Sequence, residues 1–156
     1  RNFKIFELLV IETSIINDYG DKISPHEVII KKILENLFDN QKISEAKISI
    51  ILSNKFLLNK LKKNYFNVDQ FTDVIAFNLE DENESIDGEI YISIDDVLNN
   101  ADKYEQSFNL EFKRVLIHGA LHLLGFEDNT DEKKSIMTKL ENKYMALDNE
   151  DIISIV

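Results

Sequence analysis

Residues 114–128, RVLIHGALHLLGFED, hold two of the chain's three histidines one helical turn apart, at His118 and His122. Residues four apart on an α-helix share a face. Val115, Leu116, Ile117, Leu121, Leu123 and Leu124 crowd around them, so a helix here keeps no broad polar face for water and has to be buried. Buried imidazoles need partners for their ring nitrogens, and one metal ion supplies a partner to each ring. Gly119 and Ala120 allow a neighbouring element to approach closely, and Gly125 stands where a left-handed residue ends a helix. The chain then turns back and carries Asp128 toward the histidines. Two histidines and a carboxylate, with water at the fourth position, form a catalytic zinc set. Glu127 and Asp131 are the alternatives to Asp128. A His-x3-His pair by itself also arises by chance; the buried helix, the glycine stop and the reachable acid together favour the metal.

The rest of the chain alternates strand-like and helix-like segments without internal repeats. Residues 3–10 predict a strand. Residues 24–38 predict a helix, with Ser24 as cap, Pro25 at the first position, Glu27 completing a capping box, and apolar residues from Ile29 to Phe38 at helical spacing. Residues 47–53 predict a strand, and Asn54 caps a helix over 55–66. Residues 71–79 predict a strand, 80–87 an acidic loop, 88–94 another strand, and 95–104 a short helix capped by Asp95. Ser107 caps the histidine helix, Thr130 starts a last helix reaching residue 146, and the tail from Leu147 is ambiguous. His26 reads as a surface residue in a first helical turn.

At 156 residues the chain is long enough for a real core and is expected to form a single domain over 1–156. No apolar run approaches membrane-spanning length and no leader peptide is recognisable, so no membrane partner is expected. There is no cysteine, which removes disulfides and thiolate ligands and suits a cytoplasmic location. The net charge of −11 argues against a general nucleic-acid binder, and no DNA partner is expected. Lysines at 31–32 and at 55, 60, 62 and 63 form either solvated helix faces or a local basic surface.

HGALHLLGFED resembles the signature of the YbeY family of bacterial rRNA maturation factors, H-G-x-L-H-L-x-G-Y-D-H. His118, Gly119, Leu121, His122, Leu123 and Gly125 match it. Phe126 replaces the tyrosine, Glu127 the aspartate and Asp128 the third histidine, a change that keeps a zinc-competent donor but makes the site harder. FTDVIAF at 71–77 resembles the family's P-T-D-V-L-S-F strand, and GEIYIS at 88–93 its G-D-I-x-I-S strand. The family's arginine before the first of these is missing, with Phe66 or Lys63 at the nearest positions, and Ala76 replaces a serine. The resemblance covers about residues 47–146 and implies an α+β fold: a four-stranded mixed sheet with about five helices and a metalloprotease-like metal helix at the mouth of a cleft.

The resemblance also implies a zinc-dependent, single-strand-specific endoribonuclease in 16S rRNA 3′-end maturation and ribosome quality control. Its partners would be the 16S rRNA precursor and the small ribosomal subunit. One Zn2+ per chain is expected, with another divalent ion as the alternative. In that reading His118, His122 and Asp128 hold the ion, and Glu127 orients a ligand or relays a proton. Lys63 contacts phosphate with Lys62 beside it, and Thr72 and Asp73 frame the cleft. The bland readings are a solvated loop residue for Glu127 and a turn carboxylate for Asp73. Zinc with an open position lowers the pKa of water to about 7 and polarises a phosphoryl oxygen; whether water or the ribose 2′-hydroxyl attacks stays open. A zinc protease is disfavoured because Gly119 stands where H-E-x-x-H enzymes place their glutamate. The alternative is a non-catalytic ribosome-assembly factor with a structural metal.

Overall fold

The computed structural model describes residues 9–79 and 85–156. Four strands form one mixed sheet: β1 (Val10–Asn17), β3 (Glu45–Ser53), β5 (Ser85–Ser93) and β4 (Val74–Asn78), in that spatial order. β1 runs parallel to β3 and β3 parallel to β5, while β4 is antiparallel to β5. A small second sheet pairs β2 (Ile23–Pro25) with the C-terminal β6 (Ile153–Ile155). Five helices complete the described residues: α1 (Glu27–Asn40), α2 (Lys55–Phe66), α3 (Ile94–Lys103), α4 (Phe108–Leu123) and α5 (Asp131–Met145). The expected α+β architecture, with its four-stranded mixed sheet, is the one observed.

The core explains the order of layers. Ile48, Ile50 and Leu52 of β3 and Ile90 and Ile92 of β5 are buried with Leu34 and Leu37 of α1 and Leu116, Ile117 and Leu121 of α4. Each such side chain contributes about 1.5–3 kcal/mol on leaving water. α4 packs against β4, β5, α3 and α5, so the histidine helix is the buried rod that its composition demanded. A Cβ on Gly119 would come within 2.8 Å of Ile90 Cγ2 and 3.0 Å of Val74 Cγ2, and only glycine lets the helix sit this close to the sheet.

Local signals held where nothing distant competed. Asn54 accepts from the N–H groups of Phe56 and Leu57, Ser107 from Leu110 and Thr130 from Lys133. Other expectations need correction. Ser24 and Pro25 do not open α1; they lie in β2, because their backbone pairs with β6, and His26 becomes the N-cap without a capping hydrogen bond. His26 is not a free surface residue either. Its Nδ1 is 2.7 Å from the Asp151 carbonyl and its Nε2 2.9 Å from the Ser154 hydroxyl. Ser93, not Asp95, caps α3. Asp95 instead accepts from the Lys55 N–H at the start of α2 and from the Tyr19 hydroxyl. Residues 85–87 extend β5 rather than forming loop, while 80–84 of the expected acidic loop lie outside the described residues. The strand expected over 3–10 falls, up to residue 8, outside them too, and β1 begins at Val10. The ambiguous tail is stitched down: buried Lys113 of α4 donates to the carbonyls of Asp148 and Glu150, and Asn109 accepts from the N–H of Ile152 and of Ile153.

Candidate metal centre

The end of α4 builds the site. Gly125 has φ of +95°, its N–H donates to the His122 carbonyl at 3.0 Å, and the Phe126 N–H donates to the Leu121 carbonyl at 3.1 Å. This pair of bonds with a left-handed glycine is the Schellman stop. It reverses the chain and returns Asp128 to the helix face carrying the histidines. The Nε2 atoms of His118 and His122 then lie 2.9 Å apart. Asp128 places Oδ2 3.4 Å from the first and Oδ1 3.9 Å from the second. These three side chains form a group whose ligand atoms all fall within 4.8 Å of one another, and each is half-buried.

The donor set fits a divalent cation. Tetrahedral ligands at zinc distances stand about 3.3 Å apart, within the spread of these separations. Tautomers support the fit as well. The Nδ1–H of His118 donates to Glu141 Oε2 at 2.8 Å, and His122 makes a backbone hydrogen bond with Phe126. Held in this way, neutral rings would turn both Nε2 lone pairs, with a carboxylate oxygen, onto one point, and a cation there would satisfy all three.

Electrostatics differ between the two rings. Burial pulls His118 down, but the hydrogen bond and charge of Glu141, reinforced by Asp128 and Asp73, outweigh it and leave the imidazole raised. His122 is lowered, first by burial and then by the neighbouring His118. Burial also raises Asp73 and Glu111.

Two cavities meet the pair. One, of about 320 Å³, is lined by His122, Lys62, Phe66, Ala76, Phe126 and Glu127 among others. The other, of about 280 Å³, is lined by His118, Asp73, Glu111, Arg114, Asp128 and Glu141 among others. Glu127 thus lies on the wall that carries His122, ion-paired with Lys133 at 3.0 Å. Asp73 reaches the His118 cavity, its Oδ2 accepting from Asn100 at 3.3 Å. Lys62 faces the His122 cavity, whereas Lys63 pairs with Asp69 at 3.5 Å. The Thr72 hydroxyl donates to the Val74 carbonyl at 3.3 Å.

Sequence reasoning missed Glu141 and Arg114. Glu141 is buried on α5, and Arg114 Nη1 lies 3.3 Å from its Oε1. Arg114 precedes His118 by four positions and was visible as part of the same helix face. Glu141 follows it by 23 residues, and only the packing of α5 on α4 brings it in.

A sequence model described as Endoribonuclease YbeY matches residues 15–147. The chain is 41% identical over 117 residues to the endoribonuclease YbeY of Chloroherpeton thalassium, covering 75% of this chain and 82% of that one. It is 36% identical over 121 residues to the endoribonuclease YbeY of Amoebophilus asiaticus, covering 78% and 82%. Among solved structures, a Thermotoga maritima protein determined in solution is similar with a TM-score of 0.61, at 28% identity and 87% coverage of each chain.

Proposed function

The chain belongs to the YbeY endoribonuclease family, and from that premise we propose that it is a zinc-dependent endoribonuclease cutting single-stranded RNA in 16S rRNA 3′-end maturation and in ribosome quality control. The activity is assigned to one domain over residues 1–156, working in the cytoplasm on the rRNA precursor and the small ribosomal subunit. No helix among the described residues is long and apolar enough to cross a membrane. The observation that carries the reading is the convergence of His118, His122 and Asp128 at the junction of two cavities, with Glu141 behind His118.

A zinc ion held there supplies a Lewis acid for a phosphoryl oxygen and lowers the pKa of a bound water to about 7. His118 and His122 would hold it through Nε2 and Asp128 through a carboxylate oxygen. Glu141 keeps the His118 proton on Nδ1 and so keeps Nε2 available. Glu127, at the cavity wall beside His122, is placed to orient a ligand or take up a proton. Lys62 offers its ammonium to a phosphate entering that cavity, as a point charge without the fork an arginine would present. Lys63 takes part only by exchanging Asp69 for phosphate. Asp73 lines the His118 cavity, and Thr72 would reach substrate only by leaving the Val74 carbonyl. Three protein ligands would leave a coordination position open, which favours chemistry over a purely structural metal.

The test compares wild type with His122→Ala for metal content, by elemental analysis, and for cleavage of single-stranded and duplex RNA. Zinc near one per chain, with single-strand cleavage lost in a folded His122→Ala variant, is the expected result. A fully zinc-loaded protein that binds small subunits but never cuts RNA would replace this reading with the non-catalytic assembly factor.

A further inference from the structure

The chain's net charge is −11, yet α2, KFLLNKLKKNYF, holds four lysines and no acid. It also keeps aromatic rings in water. Phe56 is 66% exposed, Tyr65 68% and Phe66 47%, and Phe71, in the segment leading to β4, is 52% exposed. Large exposed rings gathered at both ends of one helix mark a contact surface. These rings are ordered among themselves. Phe56 and Phe71 meet edge to face with centroids 6.4 Å apart, while Phe66 stacks on Phe77 at 5.9 Å and 15°. Each group has its own cation: Lys55 Nζ lies 5.4 Å and 5.8 Å from the Phe56 and Phe71 centroids, and Lys62 Nζ lies 5.2 Å from that of Phe66.

The surface is continuous with the metal centre, because Lys62 and Phe66 line the cavity that His122 also lines. Rings paired with ammonium groups match a ligand that offers flat apolar faces and anionic links in alternation. Single-stranded RNA does so, whereas a duplex keeps its bases inside the stack.

We propose that α2 and the Phe71 segment form a stacking platform for single-stranded RNA. Phe66 and Lys62 hold the nucleotide beside the metal cleft, and Phe56, Phe71 and Lys55 hold another further along the strand. Phe56 and Phe66 lie ten positions apart on one helix, about 15 Å along its axis, so one extended strand reaches both. The strand lies along α2 and runs on into the cavity that His122 lines. The ligand class rests on the endoribonuclease reading above.

The experiment measures fluorescence anisotropy of a labelled 2′-O-methyl phosphorothioate oligouridylate, which resists cleavage, against the purified protein. The same oligonucleotide paired with oligoadenylate serves as the duplex. The single strand should bind more tightly than the duplex. Phe56→Ala and Phe66→Ala should each raise Kd about five- to a hundredfold, the cost of losing one base–aromatic stack, and Phe66→Tyr should restore it. Lys62→Gln should reduce the slope of log Kd against log salt by about 1. Phe56 has two-thirds of its surface in water, so its truncation leaves the core intact. Unchanged Kd in both alanine variants, or equal binding of the duplex, overturns the platform; a protein partner on this patch would produce that result. If ordinary RNA is still cut in a His122-dependent way, the endoribonuclease reading stands without the platform. Ring-dependent binding with no cleavage leaves the platform and removes the endoribonuclease.

Discussion

Glu141 of α5 places Oε2 2.8 Å from Nδ1 of His118 on α4, while its Oε1 is held 3.3 Å from Arg114 Nη1. The carboxylate therefore sets which imidazole nitrogen keeps the proton and which way the ring faces. Such partners behind a ligating histidine are worth about ten- to a hundredfold in metal affinity. Glu141→Ala should weaken zinc binding by that factor, and Glu141→Gln by less, since its amide carbonyl still accepts the Nδ1–H. Competition against a chromogenic chelator measures both, with circular dichroism as the control for folding. Wild-type affinity in a folded Glu141→Ala variant would show that the ring is oriented by something else.

As a ligand, Asp128 would offer an oxygen where the family pattern has an imidazole, and oxygen ligands suit harder ions. Asp128→His should therefore raise the preference for zinc over manganese, read as the ratio of the two dissociation constants. Asp128→Ala leaves two ligands and should lose at least the roughly tenfold affinity that even an outer partner is worth. If neither substitution changes metal binding, Asp128 does not hold the ion.

Much of this was legible because the signals were local. The left-handed glycine at 125, the caps at Asn54, Ser107 and Thr130, and the His118–His122 spacing are each decided within a few residues. Tertiary contacts decided the rest. Ser24 looked like a cap until its backbone found Ser154, 130 residues away, in a second sheet. Asp95 was a reasonable cap two residues from the real one, but Tyr19 and the Lys55 N–H claim its carboxylate. β1 escaped notice because it is an edge strand with Glu12 and Ser14 exposed, so its pattern is weak beside the apolar FKIFELLV before it. Glu141 is hidden for the same reason as Ser24: its meaning depends on which helix α5 packs against.

Gly119 tests the closeness of α4 to the sheet. In an exposed helix, glycine to alanine gains about 1 kcal/mol. Here the new methyl would meet Ile90, which is fully buried, and Val74, at separations of 2.8 Å and 3.0 Å. Branched side chains in a packed core yield little, and overpacking of this kind costs about 1–3 kcal/mol. Gly119→Ala should lower the urea midpoint of unfolding, and Gly119→Val should lower it further. A stabilised Gly119→Ala variant would mean that the helix can move away from β4 and β5 at no cost.

The C-terminal tail gives a pH signature separate from the metal centre. The Asp148 carboxylate accepts the Glu150 N–H at 2.7 Å and lies 3.4 Å from Lys32 Nζ. That backbone hydrogen bond first, and then Lys32, hold its pKa below the ordinary carboxylate range against the opposing effect of burial. A lowered folded pKa means that the unfolded chain binds the proton more readily, so this carboxylate stabilises the fold above its unfolded pKa near 4. The contribution fades as pH falls through the lower folded value. Asp148→Asn should thus be less stable than wild type at pH 7, and the two urea midpoints should converge in acid. Lys113→Met removes the donor that Asp148 and Glu150 share for their carbonyls. It should cost about 1–3 kcal/mol, as expected when a buried acceptor loses its partner. A midpoint difference for Asp148→Asn that stays constant from neutral pH into acid would place the value of this residue in its shape rather than its charge.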